Sequence, residues 1–337
     1  VIADLAARYA ASLDQTMRTV VDSAPDSRDF LTLLRYPLGW VNADGQPYAG
    51  GTGKRIRPLL VLLCAEAAGG RWQDALPAAA AVEILHNFSL VHDDIQDASP
   101  LRHNRPTVWT VWGAPSAINI GDALFALAYR ALEGLSQTGL PPELTIAAWR
   151  ILNHTNLELT RGQHLDMGFE HRMDVTVEEY LSMIEGKSAA LLAASAQLGA
   201  LAGSRSMETA GHFASFGLHL GIAFQIRDDI LGIWGDPAVT GKSAATDLLS
   251  RKKSLPVLFA LERSPALRRL YARKHFGKRE VDAALELLDQ TGARAEVEAR
   301  EAAAFQQALS ALAGSGVENA ALQDLRRLAA ALFGRSA

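Results

Sequence analysis

A single cysteine, Cys64, stands among 337 residues. That excludes an internal disulfide and a four-cysteine zinc site, and it suits a reducing compartment. No basic tract is present: 33 Lys and Arg stand against 37 Asp and Glu, a net charge of −4, so nucleic acid is not an expected partner. No stretch reads as an integral membrane segment. A long uncharged run, Ser188 to Ser204, is rich in Ala, Ser and Gly and contains Gln197. It is short for a span and suits a helix packed closely among helices. The opening residues carry charges every few positions and lack the apolar core of a signal peptide. Strand patterns are nearly missing too. Only Val108 to Trp112 alternates, and it is expected as a strand. What is present is a chain 49% hydrophobic, enough for a sizeable core. The expectation is a single all-α domain over 1–337, a layered helix bundle around a central cavity, in the cytoplasm.

Apolar spacing of three and four predicts helix over residues 2–36, broken near Pro25. A loop follows from Trp40 to Gly53, and Pro58 is expected as the first residue of a helix that Gly69-Gly70 stops. Further helices are predicted over 74–97, 121–135, 141–169, 177–202 and 207–231, the last ending near Gly232. In the first of these, Leu76, Val82, Leu85, Ser89 and Leu90 are spaced as a buried stripe.

The stretch from Glu83 to Thr107 organises the rest. Its helix ends in Asp93, Asp94 and Asp97, with Asp93 and Asp97 four apart and His86 two turns back on the same side. Carboxylates crowded on an apolar helix repel one another, and a hard divalent cation relieves this. Mg²⁺ takes oxygen ligands and leaves positions open for substrate phosphate. Arg102 and Arg105 follow at once, and guanidinium suits phosphate oxygens. The plain alternative is a solvated acidic helix end. Downstream, Phe224-Gln225-Ile226-Arg227-Asp228-Asp229 repeats the logic, followed by Lys242, Arg251, Lys252 and Lys253. Two such clusters on apolar helices outweigh one.

With Gly53-Lys54-Arg55-Ile56-Arg57-Pro58, Gly121-Asp122, Gly162-Gln163-x-x-Asp166 and Lys187-Ser188 between and around them, these motifs follow one another over nearly the whole chain. In that order they resemble the trans-prenyltransferases, the polyprenyl diphosphate synthases of the isoprenoid synthase fold. The resemblance implies head-to-tail condensation of isopentenyl diphosphate with an allylic diphosphate, by a homodimer using three Mg²⁺ ions. It implies that the two acidic helices face each other, with Asp93, Asp94, Asp97, Asp228 and Asp229 as metal ligands. Lys54, Arg57 and His86 are implied to hold isopentenyl diphosphate, and Arg102, Lys187 and Lys252 to share the charge of the allylic diphosphate. Lys187 and Lys242 join the aspartates as catalytic residues, with Ser188, Gln225 and Lys242 among the substrate contacts.

Three positions depart from the family pattern. His103 stands where a second arginine normally grips isopentenyl diphosphate. Gly232 replaces the last aspartate of the second cluster, and Asp236 lies too far round the turn to replace it. Ser188 stands for threonine and keeps the hydroxyl. Product length in this family is set just upstream of Asp93, here by Phe88 and Ser89. Small Ser89 and bulky Phe88 resemble the geranylgeranyl (C20) type more than the farnesyl (C15) type. The rival readings are a class I terpene cyclase, which would not need Lys54, Arg57 and His86, and a non-catalytic subunit, which would not need the five of six cluster aspartates that this chain keeps.

Overall fold

A computed structural model describes residues 1–25, 28–48, 53–170, 172–235, 246–273 and 275–334. The all-α expectation holds: among the described residues the only paired strands are Leu101–Arg102 and Arg105–Pro106. Backbone contacts gather the chain into two compact units. One comprises Val1–Asn153, Ser195–Gly211 and Val317–Leu325; the other comprises His154–Ala194, His212–Gly316 and Arg326–Ala337.

The first unit begins with helices Ile2–Ala7, Ala10–Val21 and Arg28–Arg35, as the early apolar spacing predicts, with an extra break at Arg8 and Tyr9. Helix Ile56–Ala67 starts two residues before Pro58. Pro58 is therefore its third residue, where a missing N–H is still harmless because no intrahelical acceptor exists for it. Helix Leu76–Gln96 follows a 3₁₀ turn at Trp72–Ala75. It has no single buried stripe. Residues Ala78 to Leu85 are buried on every side, while Leu76, Ser89 and Leu90 are only half-buried. The run Ala78–Ala81 explains this, because side chains one carbon long let neighbouring helices close in all round. Helix Ala114–Glu133 packs along it.

Val108–Trp112 is a helix and not the expected strand. Five residues carry little intrinsic preference, and the turn geometry on either side decides. The Thr107 carbonyl accepts from Thr110 and Val111, and Gly113, at φ +81°, ends the turn.

In the second unit, helix Val177–Ile184 opens with a capping box in which Thr176 and Glu179 exchange hydrogen bonds at 3.1 and 3.0 Å. A π turn at Glu185–Ala189 joins it to helix Ala190–Ser204. Helix Met207–Trp234 runs through Gly232 instead of stopping there. Ile226, Ile230 and Ile233 lock it into a core with Tyr180, Leu255 and Leu258, and that burial outweighs the small helix penalty of one glycine.

Candidate active site

The first acidic cluster sits at a helix end that the chain turns back upon. Ala98 takes a left-handed φ of +48°. The Ser99 N–H donates to the Asp94 carbonyl at 2.9 Å and the Ala98 N–H to Ile95 at 3.2 Å, the Schellman pattern with alanine where glycine is usual. A two-residue hairpin follows, with His103 and Asn104 both at positive φ (+52° and +61°), the twist that suits such a loop. The reversal at Ala98 returns Arg102, on the first strand of this hairpin, to the helix it came from. Its Nε and Nη2 both lie 2.8 Å from Asp94 Oδ1.

That return sorts the three carboxylates. Asp94 is 4% exposed and held by Arg102; burial pushes its carboxyl above the ordinary value, more than Arg102 pulls it down. Asp93 is half-buried and Asp97 exposed. Arg105, paired with Arg102 across the hairpin, is held by backbone carbonyls. Its guanidinium donates to the carbonyl of Tyr36 at 3.0 Å and to that of Val41, and it lies 3.5 Å from the Tyr36 ring centre. It anchors the hairpin.

Beside this hairpin lies a cavity of about 590 Å³. Lys54, Arg57, His86, Arg102 and His103 all line it, with Glu83 at its wall. Sequence reasoning assigns Lys54, Arg57 and His86 to one diphosphate and Arg102 to another; the structure groups all four. Burial, reinforced by Arg57, Arg102 and His103, pushes His86 well below the ordinary imidazole value. It is therefore neutral, and its Nε2 accepts from Arg57 Nη1 at 3.2 Å, since a guanidinium only donates. Arg57 Nε is buried with no protein partner. A stack of donors around a buried orphan N–H is what an anion-binding pocket looks like without its anion. Glu83, to which sequence reasoning gives no role, is 6% exposed. Burial raises its carboxyl against the opposing pull of Arg55 and Arg57.

A pH prediction follows from His86. The unfolded chain takes up a proton near pH 6.5 that the native imidazole refuses. Stability contributed by this group is present above about pH 6.5 and lost as pH falls below it. Urea midpoints measured between about pH 5 and pH 8 should fall less steeply toward acid in His86→Gln than in the parent. Equal slopes would show that His86 does not titrate this way.

Phe88 is not part of that cavity wall. Its ring packs against His92 at 4.9 Å and Phe125 at 5.4 Å between centres. His92 in turn fills the space of the absent Gly121 side chain, with Nε2 3.3 Å from the Ile118 carbonyl oxygen. Ser89, half-buried, donates its hydroxyl to the His86 carbonyl at 2.8 Å.

The second unit carries the other cluster. Asp229 is fully buried, and its hydrogen-bonding neighbours are donors. Its Oδ2 accepts from the Tyr180 hydroxyl and, at 2.9 Å, from the Leu255 N–H; its Oδ1 is 3.3 Å from Gln225 Nε2 and 3.8 Å from Lys252 Nζ. The Leu255 N–H opens helix Leu255–Arg263, so the carboxylate satisfies one of its otherwise unpaired amides. Burial raises the Asp229 carboxyl against the pull of Lys252, Tyr180 and Leu255. Asp228 next to it is exposed. Burial lowers Lys252, but the carboxylates of Asp229, Asp247, Asp228 and Asp166 together raise it more, so it stays charged. Lys187 pairs with Asp166, and the Ser188 hydroxyl donates to Gln225 Oε1 at 2.6 Å.

Lys187 is placed by two glycines. A Cβ on Gly162 would meet the Lys187 backbone nitrogen and stand 2.8 Å from the Gly186 carbonyl carbon; one on Gly186 would stand 2.5 Å from the Glu158 carbonyl oxygen. The backbones touch here, at a π turn, a feature that clusters at functional sites. Lys242 and Asp236 lie outside the described residues. Sequence reasoning misses Tyr180 and notes Asp247 without giving it a role. A lone tyrosine gives no signal, whereas Asp247 is visible as an acid near Lys252.

Among the described residues no three His, Cys, Asp or Glu side chains form a ready-made metal cage. Of the five cluster aspartates, Asp93, Asp97 and Asp228 keep solvent exposure.

The sequence profile of the polyprenyl synthetase family matches residues 40–288. A (2E,6E)-farnesyl diphosphate synthase of Mycobacterium bovis is 40% identical over 90% of this chain and 86% of its own length. A polyprenyl synthetase of Streptomyces coelicolor A3(2) has a similar structure, with TM-score 0.89 and 36% identity over 98% of this chain and 99% of that one. A geranylgeranyl pyrophosphate synthase of Corynebacterium glutamicum, solved with isoprenyl diphosphate and magnesium, gives TM-score 0.78 and 28% identity over 99% of this chain and 98% of that one.

Proposed function

The chain belongs to the polyprenyl synthetase family, and from that premise we propose that its product is geranylgeranyl diphosphate. It is a divalent-metal-dependent prenyltransferase that condenses isopentenyl diphosphate with an allylic diphosphate. We take residues 1–337 as one catalytic domain, since the family match runs through parts of both compact units.

The observation that carries the reading is the cationic cavity, where residues far apart in sequence meet around an unpaired Arg57 N–H. Lys54, Arg57, His86, Arg102 and His103 would hold isopentenyl diphosphate there. Asp93, Asp97 and Asp228 would bind Mg²⁺, whereas Asp94 and Asp229 would position Arg102 and Lys252. Bound Mg²⁺ supplies Lewis-acid stabilisation of the departing diphosphate. Lys187 and Lys252, with Lys242, would take up the charge that develops there, and Lys187 and Lys252 are held in advance by Asp166 and Asp229. Ser188 and Gln225 would orient that diphosphate. A homodimer is proposed because Ile118, Ile146 and Trp149 expose apolar surface (46%, 54% and 37%) that a second copy would cover. Among the described residues no helix is long and apolar enough to cross a membrane, and we assign the enzyme to the cytoplasm on its one buried thiol, Cys64.

The C20 product rests on small Ser89 beside ring-backed Phe88; the farnesyl synthase relative supports C15 as the second reading. Purified protein, Mg²⁺, isopentenyl diphosphate and each short allylic primer test the proposal, with products dephosphorylated and resolved by length. Linear geranylgeraniol supports it and farnesol supports the second reading. Cyclic hydrocarbons would indicate a cyclase, and no turnover with any primer a non-catalytic subunit. Phe88→Ala should shift the main product to a longer chain. An active variant with the parental product would remove Phe88 as the floor.

A further inference from the structure

Helix Ala10–Val21 lies ahead of residue 40, where the family match begins, yet it reaches the cationic cavity. Leu13, Met17 and Val21 are buried at intervals of four, which sets the face that the helix turns inward against helix Leu76–Gln96. Met17 lines the cavity. Asp14, about one turn before it, accepts from Arg55 Nη1 at 2.5 Å.

Arg55 is a sensitive point of the diphosphate loop. It joins Lys54 to helix Ile56–Ala67, which carries Arg57, and all three residues line the cavity. It takes a left-handed conformation, φ +44° and ψ +45°, which a residue with a Cβ adopts only against a steric cost. It also stands at the N-cap, where Ser, Thr, Asp or Asn normally holds the turn by accepting from a backbone N–H. A guanidinium cannot accept, and no side-chain cap bond forms here. The Arg55 side chain is 13% exposed, and among the described residues its one hydrogen-bond partner is Asp14. The hold on this turn therefore comes from outside it.

We propose that Asp14 is a positioning residue for the diphosphate loop: by gripping Arg55 it sets Lys54 and Arg57 in the arrangement that receives the anion. Asp14 is not among the residues that line the cavity, so it acts through Arg55.

The inference rests on the prenyltransferase reading, and calorimetric binding of inorganic diphosphate without metal separates the two. The sign of the change is the test. A carboxylate acting only as a negative charge near the cavity would repel the anion, and Asp14→Asn would then tighten binding. Loss of a positioning residue weakens binding instead, here by about two- to fivefold, the scale of a partly exposed ion pair. KM for isopentenyl diphosphate should rise in step, and KM for the allylic diphosphate should not. Asp14→Glu keeps the carboxylate and should recover most of the loss. In an Arg55→Gln background Asp14→Asn should cost nothing further, because the effects of residues that act through one another do not add. Unchanged or tighter binding by Asp14→Asn would overturn the proposal, as would an equal rise in both KM values or full additivity with Arg55→Gln. If Arg55→Gln does not fold, the two Asp14 variants decide. A parent that binds diphosphate yet makes no prenyl product would overturn the enzymatic reading and leave this one standing. A parent that binds no diphosphate without metal would overturn the assignment of the cavity, and this inference with it.

Discussion

Asp93→Ala is expected to slow turnover about 10²–10³-fold, the usual cost of losing one preorganised charge contact to a transition state. It should also need a higher Mg²⁺ concentration for half-maximal rate. The basis is the division of labour within the cluster. Asp93 is half-buried, whereas Asp94 is sealed and engaged by Arg102. Asp228→Ala should behave like Asp93→Ala because Asp228 is the exposed member of its own pair. Asp94→Asn should behave differently, raising KM for isopentenyl diphosphate, since Arg102 lines that cavity. Steady-state kinetics against each substrate and against Mg²⁺ check this. Parental kcat and metal response in Asp93→Ala would show that the sealed and accessible carboxylates have been assigned the wrong way round.

Asp229→Ala is expected to lower unfolding free energy by about 3–5 kcal/mol. The Tyr180 hydroxyl and the Leu255 N–H are both buried donors that depend on this carboxylate, and leaving such a group unpaired costs about 1–3 kcal/mol each. Lys252 would lose one of its two anionic neighbours as well, which breaking a partly buried ion pair makes costlier still. Asp229→Asn keeps the shape and an acceptor oxygen, so its loss should be smaller, about 1–3 kcal/mol. Urea unfolding, with midpoint and slope compared, measures both. A shift below about 1 kcal/mol for the alanine variant would mean that water or a rearranged side chain replaces the carboxylate. Because this residue supports a helix start and a lysine together, stability and activity should fall together in the alanine variant.

Much of the site is legible in the amino-acid order. The i, i+4 spacing of Asp93 and Asp97 follows from the helix period, and helix Leu76–Gln96 ends on it: Asp97 is the capping residue, its N–H donating to the Asp93 carbonyl at 2.8 Å. The family resemblance of the motifs singles out Lys54, Arg57 and His86, and they meet at one cavity. Other features have no local signal. Arg102 reaches Asp94 because the chain reverses at Ala98, which adopts a positive φ, and alanine is not the glycine that usually marks such a helix end. Val108–Trp112 alternates in sequence but coils, because Thr107 and Gly113 outweigh the preference of five residues. Gly232 reads as a helix end in the sequence. It is a packing contact, and its partner Asp247 lies on another helix.

By itself the sequence determined the all-helical class, the two acidic stretches and the set of cations that go with them. These depend on residue type and on the helix period, which are local quantities. Only the tertiary structure decided which aspartate of each pair is sealed and which stays open, that Arg105 is an anchor, and that Asp247 packs against Gly232. Burial and pairing are set by side chains that arrive from elsewhere in the chain, and spacing along one helix does not record them.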